Sequence, residues 1–295
     1  MSSNTGSARK IKLNSFDELF GSQEDHTGDI KMIPLSNLHE FQNYPFRVED
    51  DAAMQELVSS IREKGVIHPG ICRPDGSGGY EIISGHRRKH ACELAGFTEM
   101  PFLVRNLTDD EATVLMVDAN LQREVIRPSE KACAYLMKQK ALAHSGRKME
   151  QTTAEQIGAL GGDSGRTVQR YIRLTCLSGN ILAYVDAGKI SLGAGEALSY
   201  LSEDEQSWLE EAMGTLKVCP SLAMANILKE SSQNGELVSS ASIFQILKKT
   251  GNRSPAKKIT LQPKKLQQYF TEEYTAEEME KVIFQLLEEW KKREE

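Results

Sequence analysis

Hydrophobic periodicity changes once along this chain, and that change limits the folds open to it. Up to about residue 125, short apolar runs alternate with amphipathic helical stretches; from Pro128 onward the periodic segments repeat at helical spacing. In the first half, MIPLSNL (residues 32–38) reads as a strand and turn. DAAMQELVSSIREKG reads as a helix ending at Gly65, with Met54, Leu57, Val58 and Ile61 on one face. GICRP and YEIIS are strands around the DGSGG turn, GHRRKHACELAG a helix stopping at Gly96, MPFLVRNL a third strand, and DDEATVLMVDANLQR a further helix. In the second half, helices are expected at 128–144, 152–160, 165–176, 179–187 and 192–214, with shorter ones to about 250. The expectation is a mixed α+β chain: a polar tail over 1–30, a small α/β domain over 31–125 and an all-α domain over 126–250. A linker (GNRSPAKK) and a C-terminal helix over 251–295 complete it.

The ends carry their own signals. Within the tail, a basic start followed by Leu13, Phe16, Leu19 and Phe20 makes a short amphipathic segment suited to folding on a partner. The last helix puts Met279, Val282, Ile283, Leu286, Leu287 and Trp290 on one stripe, a face it must bury, which makes it a candidate for dimerisation. No run of about 18 apolar residues exists, which excludes a transmembrane helix, and the N-terminus lacks the apolar stretch of a signal peptide, so a cytoplasmic location is expected. Five scattered cysteines, odd in number and without a C-x-x-C pair, argue against a disulfide framework or a zinc site; free, mostly core-filling thiols are expected.

Charge bears on the choice of partner. A net charge of −6 looks wrong for binding a polyanion, but its distribution is uneven. Residues 136–175 hold seven basic side chains against three acidic ones, whereas residues 196–236 hold eight acidic against two basic. In the basic stretch, TTAEQIGALGGDSGRTVQRYIRLTCL has the form of a helix-turn-helix at 152–175. Val168, Tyr171, Ile172 and Thr175 share one side of its second helix, while Arg166, Gln169, Arg170 and Arg173 share the other, as base and phosphate contacts require. Ser164 is placed to cap this helix, and Thr167 lies in its first turn.

Upstream, YEIISGHRRKHACELAG leaves a strand, turns at Gly85 and enters a helix with His86, Arg87 and Arg88 in its first turn. Cations there oppose the helix dipole unless an anion sits among them, so the junction is a candidate phosphate site. Asn120, Gln122 and Arg123 at the end of the next helix offer amide and guanidinium groups to the same kind of ligand.

In this order the pieces resemble the ParB family of DNA-partition proteins, on IPLSNL, HPGICR, SGHRRKHACELAG, NLQRE and TVQRYIRL followed by VDAGKISLGAGEAL. The resemblance implies an N-terminal domain that binds CTP and Mg2+. It also implies a helix-turn-helix that reads a palindromic double-stranded DNA site, and a homodimer that CTP closes into a clamp. It further implies a ParA-type ATPase engaged by the tail, here residues 9–20, and association with a nucleoid or plasmid. Carried over, the G-x-R-R motif falls on Gly85, Arg87 and Arg88, with His86 between them. A segment near the base falls on Pro69 and Arg73, and the second phosphate motif on Asn120, Gln122 and Arg123, with Asn120 toward the metal. The DNA-contacting residues would be Ser164, Arg166, Thr167, Gln169, Arg170 and Arg173. The family's E-N-x-Q-R motif has Ala119 in place of its Glu, with Asp118 beside it, so binding of CTP with slow or no hydrolysis is implied. Two other readings remain open: a helix-turn-helix regulator whose α/β domain is structural, and an enzyme on the same N-terminal fold, such as a nuclease.

Overall fold

The computed structural model describes residues 30–123, 125–144, 153–251, 269–270 and 274–294. All but one residue of the expected tail, including the 9–20 segment, and all but Gly251 of the GNRSPAKK linker lie outside them. The fold is mixed α+β. Strands β1 (Ile30–Pro34), β2 (Leu38–His39), β3 (Gly70–Pro74), β4 (Tyr80–Ser84) and β5 (Glu99–Val104) form one sheet in the order β1-β5-β3-β4-β2. β1 pairs antiparallel to β5 and β3 to β4, whereas β3–β5 and β4–β2 are parallel. Helices α1 (Ala52–Lys64), α2 (His86–Ala95) and α3 (Asp109–Leu121) alternate with these strands. Ile82 and Ile83 are consecutive in β4 and both fully buried, because the sheet is covered on both faces. One face packs Met54, Val58 and Ile61 of α1 and Ala91 and Cys92 of α2 against Cys72, Ile82 and Phe102.

The other face does not close on its own domain. Ile71 and Ile83 share a core with Met116 and Val117 of α3, Ala134 and Tyr135 of α4 (Pro128–His144), Ile157 of α5 (Thr153–Ala159) and Val168 of α6 (Gly165–Leu174). The boundary expected near 125 therefore falls inside a shared core, and the described residues as far as Lys248 make one compact unit. A second helical core gathers α6, α7 (Gly179–Asp186), α8 (Leu192–Leu198), α9 (Glu203–Leu216), α10 (Leu222–Gln233) and α11 (Ser240–Gly251). Asp186, at the end of α7, accepts hydrogen bonds from the Ser129 N–H (2.8 Å) and hydroxyl (2.6 Å), which joins this group to the first turn of α4.

The single helix expected over 192–214 is two. Ser202 and Glu205 form a capping box that starts α9 afresh. Gln206, buried behind it, donates to the carbonyls of Leu201 and Cys176. The cysteines are free, but only Cys72 and Cys92 fill the core; Cys133 and Cys176 are exposed, which corrects the expectation for them. Burial pushes the Cys72 thiol up to about 12. From Lys249 on lies a second unit, with α12 (Ala276–Glu294), on which Leu286, Leu287 and Trp290 are exposed. No helix among the described residues is long and apolar enough to cross a membrane.

Candidate anion cleft and nucleic-acid interface

Strand β4 ends at Ser84 and α2 begins at His86, so the chain must turn within one residue. Gly85 does this at φ 115°, and a Cβ there would stand 3.2 Å from Gly70 Cα. Both the backbone conformation and the close approach demand glycine. No side chain caps α2, which leaves its first N–H groups and the positive end of its dipole facing outward. His86 is only 6% exposed, and neither ring nitrogen has a hydrogen-bond partner. Beside it opens a cleft of about 240 Å³ lined by Glu40, Val48, His86, Lys89, His90 and Glu93. Burial first, then the charges of Arg123 and Lys89, hold His86 down at about 3, so the ring is neutral near pH 7.

That shift makes a prediction for stability. An unfolded histidine takes up its proton near 6.5, so between pH 6.5 and 3 the unfolded chain binds one proton more than the folded one. Stability is therefore expected to fall as pH drops below about 6.5, by up to about 1.4 kcal/mol per pH unit. Urea unfolding at pH 7, 6 and 5 should show the decline, and His86→Gln should flatten it. A slope unchanged in His86→Gln would assign the proton uptake to another group.

The arginines divide by what they touch. Arg87 is 29% exposed and only loosely paired with Asp51, at 3.3 Å. Arg88 turns inward and donates to the carbonyls of His68 and Pro69, the latter at 2.8 Å. Arg88 thus braces the strand-entry segment through the backbone of His68 and Pro69. Arg73 is not in the cleft, contrary to expectation. It lies three residues past Gly70, roughly 10 Å along β3, where the antiparallel register sets it opposite Glu81. There it pairs with Glu81 (2.6 Å) and Asp109 (2.7 Å) and donates to the Leu107 carbonyl.

The end of α3 comes to the same place. Asn120 is buried, and its Nδ2 donates to the Met116 carbonyl at 2.8 Å. Its Oδ1 accepts from the Tyr44 hydroxyl, and Arg123 Nη2 donates to that same hydroxyl, each at 3.1 Å. Gln122 is exposed at the helix end. Asp118 is buried against Lys138 of α4. The residue carried over toward magnesium, Asn120, has its amide oxygen on the Tyr44 hydroxyl in this structure, and the neighbouring Asp118 carboxylate is held by Lys138. Tyr44 and Phe46 also belong to this site, which no motif named above includes. Their signal was the aromatic-proline-aromatic run Tyr44-Pro45-Phe46 between β2 and α1.

In the helical part, α5 and α6 make the expected helix-turn-helix, joined through Gly161 and Gly162. Asp163 anchors the turn: its N–H donates to the Gly158 carbonyl (3.0 Å), and its carboxylate holds the Tyr135 hydroxyl (2.6 Å) and Lys131 (2.5 Å) of α4. Ser164 caps α6 by accepting from the Thr167 N–H, and its hydroxyl meets that of Thr167 at 2.9 Å. Arg166 and Gln169 are exposed. Arg170 Nε donates to Glu196 of α8 at 2.9 Å, which leaves both Nη groups of its fork outside that bond. Arg173 is turned to the Ser199 carbonyl (2.5 Å) and hydroxyl (3.1 Å), with its guanidinium over the Tyr200 ring. Its Nε and Nη2 join α6 to the end of α8, and Nη1 lies outside those two bonds.

Residues 21–121 match the family described as ParB N-terminal domain. The chromosome-partitioning protein Spo0J of Thermus thermophilus is 35% identical over 176 residues, covering 60% of this chain and 62% of that protein. The probable chromosome 1-partitioning protein ParB of Deinococcus radiodurans is 35% identical over 183 residues, covering 62% and 60%. The chain thus spans about three fifths of the length of these curated relatives. Among solved structures, the truncated ParB of Caulobacter crescentus complexed to the centromeric parS site covers 68% of this chain and 99% of its own, with 23% identity and a TM-score of 0.42. At that score the superposition places no residue of this chain against DNA.

Proposed function

We propose that this chain, whose residues 21–121 are a ParB N-terminal domain, is a DNA-partition protein that holds CTP at the start of α2 and a palindromic DNA site on α6. One observation carries the nucleotide half: an uncapped helix whose buried first residue offers two unpartnered ring nitrogens. The N–H groups of residues 86–88 and the Arg87 guanidinium would take phosphoryl oxygens, with Asn120 and Arg123 close by, since both meet Tyr44, whose ring stacks on His86. Bound CTP supplies a concentrated negative charge at that helix end. With Ala119 in place of a carboxylate, hydrolysis would be slow or absent, which favours a long-lived closed state. The names of the curated relatives support the segregation role. In this reading α12 pairs two copies, residues 9–20 meet a ParA-type ATPase, and the protein sits on a nucleoid or plasmid.

On the DNA side, Arg166, Gln169 and Arg170 read bases or phosphates, while Arg173 steadies the helix that carries them. The test joins calorimetry of the full chain with CTP, ATP, GTP and UTP to selection of binding sites from randomised duplexes. CTP should bind, and Arg87→Ala should weaken it about ten- to a hundredfold, the loss expected of a charge-assisted hydrogen bond. Arg170→Ala should cost about 1–3 kcal/mol and relax preference at one position of the selected site. Selective DNA binding with no affinity for any nucleotide would replace this reading with that of a plain helix-turn-helix regulator.

A further inference from the structure

Two side chains assigned to the ligand, Asn120 and Arg123, already share a partner in this structure, and it is a tyrosine of the chain itself. The Tyr44 hydroxyl donates to Asn120 Oδ1 and accepts from Arg123 Nη2, both at 3.1 Å. Its ring lies on the His86 ring, centroids 3.7 Å apart and planes 18° from parallel. One phenol therefore meets the amide, the guanidinium and the buried imidazole together, although 76 residues separate it from Asn120. The stacked contact leaves both His86 ring nitrogens unpaired.

The segment that carries Tyr44 is tied down on both sides of it, and the Tyr44 N–H itself donates to the Phe41 carbonyl at 3.0 Å. Gln42 N–H donates to Glu81 (3.1 Å), Arg47 N–H to Glu130 (2.9 Å), and Asp50 meets His90 (2.7 Å). Between these ties Asn43 adopts φ 57°, a left-handed conformation that asparagine tolerates better than most residues.

We infer that Tyr44 is an internal occupant of the site beside His86: it takes the ring face and hydrogen-bond places that a nucleotide takes, and nucleotide binding expels it. This rests on the nucleotide reading above. A nucleotide offers matching chemistry: an aromatic base for a ring face, a sugar hydroxyl to donate to the Asn120 amide oxygen as the phenol does, and phosphoryl oxygens to accept from the Arg123 guanidinium. Affinity measured on the wild type then includes the work of displacing the phenol, so removing its hydroxyl alone should favour the ligand.

The experiment compares wild type and Tyr44→Phe, which keeps the ring and removes only the hydroxyl. Calorimetry with CTP should give a Kd about three- to tenfold lower for Tyr44→Phe, the equivalent of one net hydrogen bond. In parallel, the wild-type chain labelled with 3-fluorotyrosine should show the 19F resonance of Tyr44, identified by its loss in Tyr44→Phe, moving to a solvent-exposed shift at saturating CTP. An unchanged or higher Kd for Tyr44→Phe, or a Tyr44 resonance that stays in place while wild type binds CTP, overturns the inference and leaves the nucleotide reading standing. Binding by Tyr44→Phe alone supports it. Binding by neither protein overturns both.

Discussion

Replacing Asp118 by alanine is expected to destabilise the chain by roughly 3–5 kcal/mol, the cost of leaving a buried partner charge without its counterion. Asp118 is 4% and Lys138 5% exposed, and the carboxylate and ammonium are in direct contact between α3 and α4. Burial raises the Asp118 carboxyl above its usual range although Lys138 pulls the other way, so desolvation is the larger influence. Alanine at 118 strands the ammonium in the interior. Asp118→Leu combined with Lys138→Met removes both charges at once and should recover most of the loss, because well-packed apolar replacements of buried ion pairs are often neutral. Urea unfolding of the three proteins decides it. A single variant within about 1 kcal/mol of wild type would mean that Lys138 finds another partner or water. The pair also bears on turnover. A carboxylate held this way by Lys138 does not stand in for the missing one at Ala119, so loss of function in Asp118→Ala must be separated from loss of fold.

Gly158→Ala should abolish selective DNA binding while leaving nucleotide binding in place. A Cβ at 158 would overlap the Asp163 carbonyl oxygen and stand 2.7 Å from Val168 Cγ2. Relief by movement is blocked on the first count. Asp163 is tied by its N–H to Gly158 and by its carboxylate to Tyr135 and Lys131, so its backbone has nowhere to go. Overpacking of this kind costs about 1–3 kcal/mol and shifts backbone, here at the joint that sets α6 on α5. Gly214→Ala is the control. It lies in α9 with open space around its Cβ position, and alanine there should be neutral or stabilising by up to about 1 kcal/mol. Fluorescence anisotropy on a selected duplex, with melting temperatures alongside, measures both. Gly158→Ala that binds the duplex like wild type would show that the turn tolerates repacking.

Relations within four residues of one another were legible from the sequence. The single change of period separates the strand-bearing half from the helical one, as the sheet and the helices after Pro128 show. Ser164 caps α6 as expected of a serine one residue before the helix, and the split of Val168 from Arg166 and Gln169 follows from 100° per residue. Even the start of α9 was written in Ser202 and Glu205, a capping box four residues long. What a cation or a phenol does was not legible, because its partner is chosen by packing between distant segments. Arg88 reaches His68 20 residues away, Arg173 reaches Ser199 26 residues away, and Tyr44 reaches Asn120. Identical guanidinium groups at 87 and 88, or at 170 and 173, differ only in which neighbour the tertiary fold brings within hydrogen-bond range. Local spacing set the helices and their faces; long-range packing decided which of their charged groups remain open to a ligand.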